Sequence, residues 1–198
     1  MLSAAQHEAV TSEAARPLQI LAGPGSGKTR VLTSRVAHLV RDSAAPIAPE
    51  RCVVVTFTNR AANEMRARLE TMIGADRTRR LVLGTFHAVC VRFLRRWGTR
   101  LGLDPRFTIA DTDDARRLLR DVDRDAPVDA TLAAISRAKA HGWTPDELRA
   151  SAQHAPGSPA HTEHLALCRT YAAYQQQLRT SHALDFDDLL LLLSLIHI

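Results

Sequence analysis

Eight residues, Ala22-Gly23-Pro24-Gly25-Ser26-Gly27-Lys28-Thr29, have the types and spacing to hold a chain of phosphates. Glycines at alternate positions let main-chain N–H groups converge on phosphate oxygens, because no Cβ stands in the way. A helix opening where such a loop ends adds the positive end of its dipole. Lysine at the seventh position reaches the β- and γ-phosphates, and the threonine hydroxyl after it is a ligand for Mg²⁺. The lysine is informative because Lys28 and Lys139 are the only lysines among 26 basic residues. A compact ammonium fits between phosphates where a planar guanidinium does not. The pattern departs once from its usual form, with Ala22 in place of the first glycine. Residues 22–29 are thus expected to bind a nucleoside triphosphate with Mg²⁺, with Lys28 and Thr29 as the candidate catalytic pair.

Such a loop works only between a strand and a helix. Leu18-Gln19-Ile20-Leu21 is a candidate strand, and Thr29–Arg41 an amphipathic helix. The β-branched, apolar run Cys52–Phe57 predicts a buried strand. Asn59 can cap a following helix that carries Met65, Leu69 and Met72 at helical spacing and stops at Gly74. Leu81-Val82-Leu83 predicts a third strand, and Thr85 the start of a helix to about Leu101. This βαβαβ order predicts an α/β fold, a parallel sheet with helices on both faces. Ligands of open parallel sheets bind beyond the carboxyl ends of the strands. Thr56-Phe57-Thr58-Asn59 and Thr85-Phe86-His87 fall at such ends, where aromatic rings beside hydroxyl and amide donors suit stacked bases and phosphates. After Asp104-Pro105 the pattern is helical only, with segments near 112–123, 131–141, 145–153 and 163–180 and a Pro/Gly-rich loop at 154–159.

Composition narrows the function classes. With 45% apolar and 24% charged residues, the chain excludes collagen-like and wholly disordered readings. The apolar run Leu189–Leu193 falls far short of the ~20 residues that cross a bilayer. The N-terminus has no signal-peptide layout. Three widely spaced cysteines give no disulfide framework, which fits a reducing, cytoplasmic setting. The net charge of +5 conceals a split: up to Ala110 there are 17 basic and 8 acidic residues, beyond it 9 and 13. The first part therefore suits a polyanionic partner.

Several weaker patterns have structural explanations. Arg92, Arg95, Arg96 and Arg100 line one side of a helix and read as a solvated face. His161, His164 and Cys168 share a helical face without a fourth metal ligand. Asp111 and the run Asp185-Phe186-Asp187-Asp188 read as helix N-caps. No apolar strand ends in Asp-Glu, the pair that would hold Mg²⁺ and orient water for phosphoryl transfer. Residues Leu191–Ile198 form an apolar helix without a cap, which reads as the end of a fragment.

Ala22–Arg30, together with Leu2–Val10, Val55–Met65, Gly84–His87, Phe107–Asp111, Ala134–Lys139 and Ala183–Leu189, closely resembles the N-terminal part of UvrD/Rep/PcrA-type superfamily 1 DNA helicases. The resemblance implies an incomplete P-loop NTPase (RecA-like) domain at 1–103, an all-helical insertion at 104–182 and a return to the motor domain at 183–198. It implies ATP and Mg²⁺ as ligands, Gln6 at the adenine edge and Arg30 against the base or ribose. It also implies that Thr56, Phe57, Asn59, Thr85, Phe86 and His87 face single-stranded DNA. The partners implied are single strands and single-strand/duplex junctions. The Asp-Glu pair of that family lies just beyond the segment matched by Asp185–Leu189. The activity implied is 3′–5′ translocation and unwinding, with binding alone expected of this chain. Two alternatives stand beside it: a small P-loop kinase using Asp111 as metal partner, and a nucleotide-gated DNA-binding module without motor activity.

Overall fold

The computed structural model describes residues 2–151 and 157–196, and the chain divides into two units, Met1–Val89 and Cys90–Ile198. In the first unit a capping box opens helix α1 (Ala4–Thr11): the Ser3 hydroxyl accepts from the Gln6 N–H, and the Gln6 amide oxygen accepts from the Ser3 N–H. Helix α2 (Lys28–Ala37) rises directly from the glycine-rich loop and continues through one π turn at His38–Asp42. Next come strand β1 (Val53–Thr56), helices α3 (Asn59–Ile73) and α4 (Ala75–Arg80), and strand β2 (Val82–Thr85). The strands pair in parallel, Val53 opposite Val82 and Thr56 opposite Thr85, which requires a crossover of the kind α3 and α4 supply.

The core of this unit follows from helical and strand periods. Val36 and Ala37 of α2 and Ala62, Met65, Leu69 and Ile73 of α3 pack with Val54, Leu81 and Leu83. Gly74, at φ +86, ends α3 in a conformation that disfavours a side chain. Three expectations are corrected. Leu18–Leu21 is not a strand: no neighbouring backbone pairs with it among the described residues, so the ladder that defines a strand is missing. Leu21 stands 86% exposed. The sheet accordingly has two strands rather than three, and β1 is closed on one face only, with Val54 buried and Val53 exposed. Thr58, not Asn59, caps α3, because Thr58 keeps extended backbone and its hydroxyl accepts the Ala61 N–H at 3.1 Å.

The second unit holds the rest of helix α5 (Phe86–Trp97), a 3-10 turn, and a pair of two-residue strands, β3 (Thr108–Ile109) and β4 (Ala183–Leu184), parallel to each other. The sequence pattern gives no sign of this pairing. Between these strands run helices α6 (Thr112–Val122), α7 (Val128–Ala140), α8 (Pro145–Ala150) and α9 (Pro159–Thr180), and after them α10 (Phe186–Leu195). The expected segment at 145–153 ends at Ala150 as a helix, and the loop expectation at 154–159 lies partly outside the described residues. Asp111 and Asp185 cap α6 and α10, each through a capping box. No helix among the described residues is long and apolar enough to cross a membrane.

Lys139 is the hub of this unit. Its ammonium is fully buried, 2.6 Å from Asp185 Oδ2 and 2.8 Å from Asp188 Oδ1. It also lies over the rings of Tyr171 and Tyr174, and the Tyr174 hydroxyl donates to Asp185 Oδ2 at 3.1 Å. One cation thus fastens α7 to the N-terminus of α10. Removing one partner of such a buried pair strands the other charges, at about 3–5 kcal/mol. Lys139→Met is therefore expected to lower the urea midpoint of the helical unit steeply, as followed by circular dichroism.

Burial first, and the carboxylates of Asp185 and Asp188 second, push the Tyr171 and Tyr174 phenols well above their ordinary value. A raised folded value means that the stabilisation is complete below the unfolded pKa of about 10 and is lost as pH rises beyond it. These are the only two tyrosines in the chain. In an alkaline titration, phenolate absorbance is expected to appear above pH ~10 together with loss of helicity, not before it.

Candidate functional site

The glycine-rich loop turns through left-handed backbone at Gly25 (φ +73) and Gly27 (φ +84) before α2 begins. A Cβ on Gly23 or Gly25 would meet nothing within 4 Å, so both positions border open space that an oxyanion can approach. Lys28 Nζ lies inside this curve, donating to the carbonyls of Ala22 at 2.9 Å and Gly23 at 2.6 Å. The Ser26 hydroxyl donates to the Gly23 carbonyl at 2.7 Å, which tightens the turn. No side chain caps α2, whose first turn carries Lys28, Thr29 and Arg30, all exposed. An uncapped first turn presents N–H groups and the positive dipole end. Ammonium, hydroxyls and N–H groups together form a donor set that fits a polyphosphate, with the exposed Thr29 hydroxyl beside it as the residue that could hold a cation.

Gln6 reaches this loop from a different part of the chain. Its Nε2 donates to the Ser26 carbonyl at 3.0 Å, and a Cβ on Gly27 would stand 3.3 Å from the same nitrogen. The contact ties Gln6, expected at the adenine edge, to the glycine-rich loop across a separation of 20 residues.

The strand ends form a second cluster. Because β1 and β2 run parallel with Thr56 opposite Thr85, the residues after them, Phe57 and Phe86, emerge side by side. Their ring centroids are 5.4 Å apart with planes tilted by 50°. Phe57 is 91% exposed, an unusual position for a phenylalanine. Asn59 and His87 are also exposed. Thr56 is buried and donates to the Thr58 carbonyl at 3.1 Å, while Thr85 Oγ1 accepts from the Ala88 N–H at 3.3 Å. The two threonine hydroxyls therefore shape the turns that present the phenylalanines.

A cleft of about 270 Å³ joins the two clusters. Lys28, Thr29 and Leu32 of α2 line it together with Thr56, Phe57 and Thr58 after β1 and Ala61 and Met65 of α3. Sequence reasoning missed Leu32, Ala61 and Met65 as lining residues. The i,i+4 spacings Lys28 to Leu32 and Ala61 to Met65 are the signal that would have placed them on these helix faces.

The remaining candidates have local structural roles. Asp111 Oδ1 accepts from the N–H groups of Asp113 and Asp114, each at 2.9 Å, so the carboxylate is engaged as a cap. Arg92, Arg95, Arg96 and Arg100 are exposed, with Arg95 over the Phe107 ring. A His164 ring nitrogen lies 2.8 Å from the Leu148 carbonyl, and Cys168 is buried in the helical core.

Residues 2–197 match the model of the UvrD/REP helicase N-terminal domain family. The chain belongs to this family. It is similar to proteins named ATP-dependent DNA helicase PcrA. The one from Leuconostoc citreum is 42% identical over 89% of this chain and 23% of its own length. That from Staphylococcus epidermidis is 38% identical over 96% and 26%, and that from Staphylococcus aureus 39% over 94% and 25%. The chain thus spans about a quarter of the length of these relatives. Membership of a UvrD/REP helicase domain family accords with the mixed α/β architecture and the helix-leading phosphate loop.

Gly27→Ala tests the loop. At φ +84 a Cβ costs about 1–2 kcal/mol, and here it also presses on Gln6. Triphosphate affinity, measured with ribose-labelled fluorescent ATP, is expected to fall about tenfold or more, with the circular dichroism spectrum unchanged.

Proposed function

We propose that this chain is the ATP-binding and single-stranded-DNA-binding part of an ATP-dependent 3′–5′ DNA helicase. The observation that carries the reading is the shared cleft: Lys28 and Thr29 of the phosphate loop line the same hollow as Thr56 and Phe57 at the strand end. A nucleotide-dependent shift of α2 then bears directly on the residues that meet DNA, which is the coupling a motor needs. Lys28 and Thr29 hold the β/γ-phosphates and Mg²⁺, with Gln6 and Arg30 on the base side. Phe57 and Phe86 offer stacking faces to bases, with Asn59, His87 and the Thr56 and Thr85 turns beside them. The basic first part of the chain suits the phosphodiester backbone. Residues 104–182 act as an insertion within the motor domain formed by 1–103 and 183–198. In the whole protein the bound ATP–Mg²⁺ supplies the free energy of hydrolysis for translocation at single-strand/duplex junctions in the cytoplasm. In this chain by itself the activity is binding, because its sequence has no strand ending in Asp-Glu.

Fluorescence anisotropy with a labelled oligothymidylate tests the DNA half. Stacking on an aromatic side chain is worth about 1–3 kcal/mol per base, so Phe57→Ala is expected to weaken binding about tenfold with an unchanged salt slope. ATP affinity of that variant stays within about twofold, whereas Lys28→Ala abolishes it. Parent-like DNA binding by Phe57→Ala sinks the assignment of the strand ends, and retained ATP binding by Lys28→Ala sinks that of the loop.

A further inference from the structure

Helix α1 has little of its own to hold it in place. It is eight residues long, buries only Val10, and has no basic residue in its last turn. A helix of that length is marginal by itself, and its final carbonyls lack intrahelical partners. Two are satisfied locally: Ser12 N–H donates to the Glu8 carbonyl at 2.9 Å, and the Thr11 hydroxyl to that of His7 at 3.0 Å. Those of Ala9 and Val10, and the chain just beyond the helix, are met by a side chain from another helix. Arg35 Nη1 lies 2.9 Å from the Ala9 carbonyl, 3.4 Å from that of Val10, 3.0 Å from that of Ser12 and 2.6 Å from the Ser12 hydroxyl. Its Nη2 is 3.5 Å from the Glu13 carbonyl.

Arg35 stands on α2, the helix that begins at Lys28. Seven residues separate the two, which is about two turns, so they share a face. A guanidinium is suited to this task because its planar fork reaches several acceptors at once, and a cation at a helix C-terminus is favoured by the dipole. The other end of α1 meets the same structural element through Gln6, whose Nε2 donates to the Ser26 carbonyl of the loop. Helix α1 is therefore pinned at two points, by Gln6 on the phosphate loop and by Arg35 on the helix that the loop opens.

We propose that Arg35 is a positioning residue for nucleotide-base recognition: by capping α1 from α2, it holds Gln6 in register with the phosphate loop. The proposal rests on the reading that Gln6 meets the base. Without the Arg35 cap, α1 frays and Gln6 loses its fixed place, while the phosphate-holding groups of residues 22–29 are left intact. Selectivity for adenine is then lost without loss of triphosphate binding.

The experiment compares ribose-labelled fluorescent ATP and GTP, with Mg²⁺, on the full chain and on Gln6→Ala, Arg35→Ala and Arg35→Lys. The expected result is an ATP preference of about tenfold in the parent that collapses toward one in both alanine variants. GTP affinity of Arg35→Ala stays within about twofold, and Arg35→Lys recovers part of the preference because an ammonium still supplies charge and donors. If Arg35→Ala keeps the preference that Gln6→Ala loses, the proposal is overturned and the Gln6 reading stands. If Gln6→Ala keeps it, both fall. Equal weakening of ATP and GTP in Arg35→Ala assigns Arg35 to fold stability alone and overturns the proposal. Should Arg35→Ala not fold, hydrogen exchange on Arg35→Gln decides: amides of residues 4–11 are expected to exchange faster while those of 31–37 keep their protection, and parent-like exchange in 4–11 refutes the capping role.

Discussion

Parallel pairing of Val53–Thr56 with Val82–Thr85 is the constraint that shapes the first unit. Two parallel strands cannot be joined by a tight turn, so the chain between them must cross over, and α3 and α4 are that crossover. The pairing also sends both carboxyl ends to one edge. The next residue of each strand must emerge there beside the other, and those two residues are Phe57 and Phe86. Helix α2 packs on α3 through the same core, which brings the glycine-rich loop to that edge as well. Register, crossover and loop are thus consequences of one hydrogen-bonded ladder of four residues per strand.

The second unit has a different organising device, a buried charge. Lys139, Asp185 and Asp188 are brought together from α7 and the start of α10, and the two tyrosines of α9 close over the ammonium. Apolar packing of Leu119, Ile135, Leu148 and Leu178 supplies cohesion but little discrimination among helix registers. A cation that must meet two carboxylates admits few arrangements. The carboxylates also cap α10, so the ion pair and the helix start depend on each other.

Features governed by neighbours in sequence are legible without the fold. The glycine-rich turn that opens α2, the face of α3 marked by Met65 and Leu69, and the caps at Asp111 and Asp185 each depend on residues within a few positions. The failures share a cause. Leu18–Leu21 has strand chemistry, but a strand needs a partner, and pairing is not encoded locally. Thr108–Ile109 and Ala183–Leu184 look too short to be strands until each is set beside the other. The choice of Thr58 over Asn59 as cap turns on one backbone dihedral. Lys139 does leave a trace in the sequence: in a chain that otherwise uses arginine, the two lysines stand out, one in the glycine-rich loop and one buried among carboxylates.

The short β3–β4 pair has a further meaning for how this architecture can change over time. Thr108 N–H bonds to the His182 carbonyl at 2.9 Å and Ala110 N–H to the Leu184 carbonyl at 2.9 Å, so the chain leaves and returns at adjacent points. The closing entropy of such an excursion grows only logarithmically, at about 0.6 kcal/mol for each doubling of its length. The excursion through helices α6 to α9 can therefore lengthen in its connecting loops at little closing cost, while Lys139 of α7 and the two tyrosines of α9 stay tied to α10. The two strands that bracket it need not move.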